Sequence, residues 1–192
     1  MTIDVRARMR RARIGRMGGR VSLAVALCAA GFLASACEGP KAVATGEQAS
    51  AFSLPPLANS SHAISLGDYA GQPVIIVFFA TWSPTSAAEI RVLGHFYRAR
   101  KQRVKIVGVD ARDSRSAARA LLHRMQVTYP VAADSSLALA TRFHVPGVPA
   151  AYFLDSRHKI VVTQLGGLNW AKIRQGVQAM RTSTVIRHPN GD

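Results

Sequence analysis

Apolar residues run unbroken from Val74 to Ala80 (VIIVFFA). A strand with no polar position has both faces covered, so this segment is read as the centre of a sheet. It leads into Trp82 and the turn Ser83-Pro84-Thr85-Ser86. A hydroxyl followed by proline starts a helix: Ser83 supplies the N-cap oxygen, and Pro84 takes the first helical position, where no N–H is needed. Ala87, Ile90, Leu93 and Tyr97 then recur at helical spacing. Val104 to Val109 is a second strand. Ser114 caps a second helix built on Ala118, Leu121 and Met125. Pro130 to Ala133 is short and extended, and a third helix is expected from Asp134 or Ser135 through Phe143.

Beyond His144-Val145-Pro146-Gly147-Val148-Pro149, the strand Ala151 to Leu154 pairs back as a hairpin with Ile160 to Leu165 through a turn at Ser156 to Lys159. Gly166-Gly167 ends it, and Asn169 caps a last helix with Trp170, Ile173, Val177 and Met180 on one face. The order predicts an α/β fold with a central mixed sheet and helices on both faces: a parallel pair joined by a right-handed crossover, then an antiparallel hairpin. The small polar stretch 38–50, with Gly and Pro, reads as a flexible tether. The domain is expected over 51–182, with a frayed tail over 183–192.

Charge changes the picture at the N-terminus. The net charge of the 192-residue chain is +15, and seven arginines against Asp4 put +6 of it on residues 1–20. Val21 to Ala36 is apolar and small, shorter than the roughly 20 residues a membrane span needs. A basic segment, a short apolar core and small residues before a break make a signal peptide or signal anchor over 1–36. Ala34-Ser35-Ala36 fits an ordinary cleavage site. Leu33 to Cys37 also resembles a bacterial lipobox, with Leu one place further from the cysteine than usual and Cys37 as the lipidated residue of a tether over 37–50. A lipoprotein is the leading reading; an uncleaved anchor and a secreted form are the alternatives. All three place the domain outside the cytoplasm, in periplasm or cell envelope.

The chain has two cysteines, Cys28 and Cys37. Both precede the domain, so the domain has no thiol with which to hold or exchange an internal disulfide.

The strand–Trp82–Ser-Pro-Thr-Ser–helix segment, with Glu89 near the helix start and Gly147-Val148-Pro149 before a later strand, resembles the active-site region of thioredoxin-fold oxidoreductases. It is similar to the membrane-tethered TlpA and ResA type of redoxin (AhpC/TSA-like) protein, over roughly residues 50–180. The resemblance implies a thioredoxin-like fold, a cis proline at Pro149 facing the turn, and a W-C-x-x-C turn in which Ser83 and Ser86 stand at the sulfur positions. It also implies that Val148 presents its backbone edge to an extended peptide. Val77 stands where thioredoxins carry a buried acid, and Arg91 where a proline is frequent.

A cysteine at a helix N-terminus has its thiol pKa lowered and attacks a disulfide as thiolate. A serine hydroxyl forms neither that anion near neutral pH nor an S–S bond, so no catalytic residue is assigned. Ser83 is expected to act as the N-cap, with hydrogen-bond donation to a bound thiolate, peptide or carboxylate as its functional alternative. Ser86, one turn inside the helix, is expected at the surface. A groove of Trp82, Ser83, Pro84, Thr85, Val148 and Pro149 is expected to bind an extended segment of an envelope protein. The rival reading is a thiol-binding or thiol–disulfide oxidoreductase-like enzyme that works on substrate thiols with Ser83 as donor.

A serine hydrolase lacks its motif here and an evident base. The histidines show no ligand spacing, so neither metal nor cofactor is implied; His144, just before Gly147-Val148-Pro149, is read as a surface residue, with a place near the groove as the alternative. The basic run Arg98, Arg100, Lys101, Arg103, Lys105 reads as a solvated face, with anionic lipid headgroups as the alternative contact. An exported domain excludes nucleic acid as the partner. The sequence leaves the oligomeric state open.

Overall fold

In the computed structural model, residues 45–99 and 104–185 are described. Their centre is β4 (Val74–Phe79), every residue of which is buried. It lies parallel to β5 (Lys105–Asp110), which lies parallel to β6 (Val131–Ala133). On its other side β4 pairs antiparallel with β7 (Ala150–Leu154), and β7 with β8 (Ile160–Leu165). Strand β2 (Pro56–Ala58) closes the far edge on β6, giving the order β2-β6-β5-β4-β7-β8. A small ribbon of β1 (Ser53–Leu54) and β3 (Ile64–Ser65) precedes a 3-10 turn at Leu66–Tyr69.

The unbroken apolar run of β4 is explained by two cores. Ile75, Val77 and Phe79 face a core shared with α1 (Pro84–Ala99), α2 (Arg115–Arg124) and α4 (Trp170–Val185). Val74, Ile76 and Phe78 face a second core with Phe143, Tyr152 and the short α3 (Ala138–Arg142). The alternation follows from the two-residue period of a strand. Phe78, Phe143 and Tyr152 meet edge-on or tilted at 5.1–5.8 Å, and the Tyr152 hydroxyl donates to the Phe143 carbonyl at 2.9 Å.

The helix starts follow their side chains. Ser114 Oγ accepts from the Ala117 N–H at 3.2 Å, and Asn169 Oδ1 from the Lys172 N–H at 2.9 Å. The third helix departs from expectation and begins only at Ala138. Asp134 caps it from a distance, accepting from the N–H groups of Leu139 and Ala140 at 3.3 and 2.8 Å. Between them Leu137, at φ 59°, holds the chain out of helical conformation.

Both ends of the domain also extend further than expected. Gly46 donates to the Ile160 carbonyl at 2.7 Å, Ile160 to Glu47 at 2.9 Å, and Ala49 to His158 at 3.0 Å. The last residues of the expected tether are thus joined to the hairpin, because strand pairing asks only for free N–H and C=O groups, which small polar residues have. At the other end α4 continues through the expected frayed residues as far as Val185. Trp170 was assigned to the buried face and is 42% exposed, its ring edge-on to Phe96 at 5.7 Å. The expected signal segment 1–36, Cys37 and residues 38–44, Arg100, Lys101, Arg103 and residues 186–192 lie outside the described residues. No described helix is long and apolar enough to cross a membrane.

Candidate functional site

The turn after β4 is closed by its two hydroxyls. Ser83 Oγ accepts from the Ser86 N–H at 3.2 Å, while the Ser83 carbonyl begins the helix by accepting from Ala87 at 3.2 Å. This is the N-cap geometry expected of Ser83. Ser86 corrects the expectation of exposure: it is fully buried, and its Oγ accepts from the Ala80 N–H at 3.4 Å. Position 86 lies on the helix face turned back toward the end of β4, where the hydroxyl meets a main-chain donor that has left the strand ladder. Ser83 is buried as well, at 6% exposure. The turn is tied sideways by the Thr81 N–H, which donates to the Asp113 carboxylate.

Opposite the turn, the Val148–Pro149 bond is cis. The Gly166 N–H donates to the Pro149 carbonyl at 3.0 Å. Trp82, 71% exposed, is the most exposed large apolar side chain among the described residues. It borders a cleft of about 540 Å³, within the range of small-molecule and side-chain pockets. The structure brings Trp82 and Val148 together on this cleft, but not the other four residues expected in the groove. Ser83 and Pro149 are buried. Pro84 is exposed and does not line the cleft, and Thr85 faces Gly167, where a Cβ would fall 2.9 Å from its Cγ2.

The cleft instead turns toward α3 and is completed by Ala111 and Arg112 after β5, by Leu137, Ala140 and Thr141, and by His144, Val145 and Gly147. They come from two separate stretches, 111–112 and 137–147, which only the fold brings to the same cleft as Trp82. His144 is exposed, as expected, and also lines the cleft. Arg112, Leu137 and His144 have left-handed backbones, at φ 65°, 59° and 47°. Residues other than glycine adopt that conformation rarely, and it concentrates at binding sites.

Two buried carboxyls lie beneath the turn end of the sheet, and the sequence signalled the burial of neither. Glu89 is 1% exposed, and neither of its oxygens has a hydrogen-bond partner. Burial pushes it up from 4.5 to about 8, with Lys172 pulling the other way. The Lys172 ammonium itself donates to the Gly167 carbonyl at 3.2 Å. The Tyr129 phenol, fully buried, is raised by burial and then by the nearby Glu89 charge. Asp110, 2% exposed, is pushed up to about 7 by burial and by sharing a hydrogen bond with Asp113, against the pull of Arg115. Val77, where the resemblance puts an acid, is fully buried. Near neutral pH the site therefore has a protonated buried glutamic acid and an acid pair able to share a proton. Among the described residues it has no sulfur and no group of three metal-ligating side chains.

Comparison with known proteins agrees with this geometry. The thiol:disulfide interchange protein DsbE of Xylella fastidiosa is 32% identical over 125 residues, covering 65% of this chain and 62% of that protein. The chain thus spans less than two thirds of that relative's length. The thiol-disulfide oxidoreductase ResA of Geobacillus thermodenitrificans is 24% identical over 141 residues, 73% of this chain and 80% of that one. A thiol:disulfide interchange protein of the thioredoxin family from Chlorobium tepidum superposes with a TM-score of 0.63 at 20% identity, covering 72% of this chain and 99% of that one. That likeness shows the thioredoxin-like fold. The profile of the AhpC/TSA family matches residues 45–163, well over half of the chain, and the chain belongs to that family.

Proposed function

We propose that this protein is a redox-inactive member of its family: an exported, membrane-tethered thioredoxin-like domain that binds an extended segment of another cell-envelope protein. The observation that carries this reading is the turn at the start of α1. In this reading Ser83 and Ser86 stand where relatives of this type carry their dithiol. Both hydroxyls are buried and bonded to the main chain of the turn itself. A hydroxyl so placed maintains the turn's shape without the chemistry of a thiolate. The recognition elements remain beside it: an exposed tryptophan, a cis proline and a cleft between them and α3. Tethering through Cys37 or the signal segment rests on the N-terminal pattern and belongs to the same proposal.

The test compares turnover with capture. The native protein is expected not to accelerate the reduction of insulin disulfides by dithiothreitol, while Ser83→Cys with Ser86→Cys reports whether the scaffold still supports exchange. Copurification from membrane extract is expected to recover an envelope protein with the native chain and lose it with Val148→Arg. Turnover by the native chain that disappears in Ser83→Ala would replace this proposal with the thiol-binding enzyme. The burial of Ser83 disfavours that rival, since a buried hydroxyl is poorly placed to meet a substrate thiol.

A further inference from the structure

The proposed function leaves the bound segment's chemistry open, and the cleft's lining narrows it. Five apolar side chains, Ala111, Leu137, Ala140, Val145 and Val148, form its walls, and the exposed indole of Trp82 stands at its edge. At about 540 Å³ it has room for more than one apolar side chain. The charged or titratable side chains in its lining are Arg112 and His144, both exposed, and no acid lines it.

Acids are scarce on the rest of the surface too. Glu89, Asp110, Asp134 and Asp155 are buried. Asp113 accepts from the Thr81 N–H. Glu47 and Asp68 remain exposed among the described residues. With +6 of the chain's +15 on residues 1–20, the remainder of the chain carries +9. Such a surface draws in a negative partner and resists a positive one.

We infer that the cleft takes an extended polypeptide segment in which apolar and acidic side chains alternate; this rests on the proposed peptide-binding role. Side chains of an extended segment point to opposite sides in turn. A leucine-sized residue would enter between Leu137 and Val148, while its acidic neighbours, turned outward, stay at the mouth, where the exposed Arg112 guanidinium and His144 imidazole meet them from the rim. Arginine offers a carboxylate paired N–H donors, and imidazole offers at least one. Trp82 covers the buried side chain from the turn.

The test uses the full chain and labelled octapeptides, acetylated and amidated, with leucine at alternate positions. The positions between carry Asp and Glu, Asn and Gln, or Lys. Fluorescence anisotropy at low salt is expected to show the acidic peptide binding at least about fivefold more tightly than the amide version, with the gap shrinking as salt rises. Arg112→Gln should remove most of that gap, and Arg112→Glu should shift preference to the lysine peptide, with circular dichroism confirming the fold of each variant. Equal binding of acidic and amide peptides would overturn the charge inference and leave the peptide groove standing. Binding of no peptide would remove both. Arg112-dependent binding of phosphatidylglycerol vesicles without peptide binding would overturn it in favour of a lipid surface.

Discussion

Replacing Glu89 by glutamine should flatten the pH dependence of folding stability on its alkaline side. Glu89 is buried at 1% exposure with no hydrogen bond to either oxygen, and its carboxyl is pushed from 4.5 to about 8. A carboxyl with a raised folded-state pKa binds its proton more tightly folded than unfolded. Its contribution is therefore fully present below the unfolded value and is lost as pH rises through the folded one. Each pH unit between 4.5 and about 8 removes about 1.4 kcal/mol. Between pH 5 and pH 9 the native chain should lose about 4 kcal/mol from this group, of which about 1.3 kcal/mol falls between pH 7 and pH 9. Domains of this kind are stable by about 5–15 kcal/mol, so the loss is large.

Asp110, raised to about 7, also drives stability down as pH rises, but its window closes near neutrality. The span from pH 7 to pH 9 therefore reports mainly Glu89. The assay is urea unfolding at pH 5, 7 and 9. With a slope of about 2 kcal/mol/M, Glu89 should account for about 2 M of the fall in native midpoint from pH 5 to pH 9, Asp110 adding its own share below neutrality, and Glu89→Gln should lack the Glu89 share. The buried amide lowers the variant's curve at every pH through its own unmet hydrogen bonds, by about 1–3 kcal/mol. The slope, not the level, is therefore diagnostic. Parallel curves for the two proteins would refute the claim that Glu89 is ionised at high cost in the folded state.

Other outcomes follow from the same geometry. Ser83→Ala removes the N-cap of α1 and should lower stability by about 1 kcal/mol in thermal or urea unfolding, while Ser83→Gly should lower it by only a few tenths. Ser86→Ala strips the acceptor from the buried Ala80 N–H and should cost about 1–3 kcal/mol, while Ser86→Cys should cost less because the thiol keeps some volume and a weak acceptor. Gly176→Ala would place a methyl 2.4 Å from the Phe153 ring; it should destabilise by about 1–3 kcal/mol despite alanine's better helix propensity, and an unchanged melting temperature would contradict the packing. Asp113→Asn should bring the Asp110 titration down from about 7 toward the ordinary carboxylate range, read by carboxyl carbon NMR shifts, because the shared hydrogen bond and the neighbouring charge both disappear.

Much of the fold was legible in the sequence because its signals are local. The apolar run of β4, the Ser83-Pro84 start of α1, the Ser114 and Asn169 caps and the closing hairpin each need only near neighbours in the chain. The misreadings have a common cause. Ser86 looked exposed because a serine inside a helix has no obvious acceptor role; its partner is the Ala80 N–H, reached only when the helix folds back on the strand end. Asp134 looked like an immediate helix start, but it caps from four residues away, past Leu137 in a left-handed conformation. Residues 46–49 looked like linker because their pairing partners lie more than a hundred residues further on.

The sequence by itself determined the α/β class and the cysteine-free domain, since these rest on residue identity and short-range periodicity; the cis proline was implied only by the resemblance to thioredoxin-fold proteins. The tertiary structure alone decided where the cleft opens. It brought Arg112, Leu137 and His144 together with Trp82 on one cleft and set Thr85 against Gly167 instead. It also decided which acids lose their water. Burial depends on what the rest of the chain packs over a side chain, and that is why Glu89, an ordinary helical residue in sequence, has its carboxyl raised to about 8.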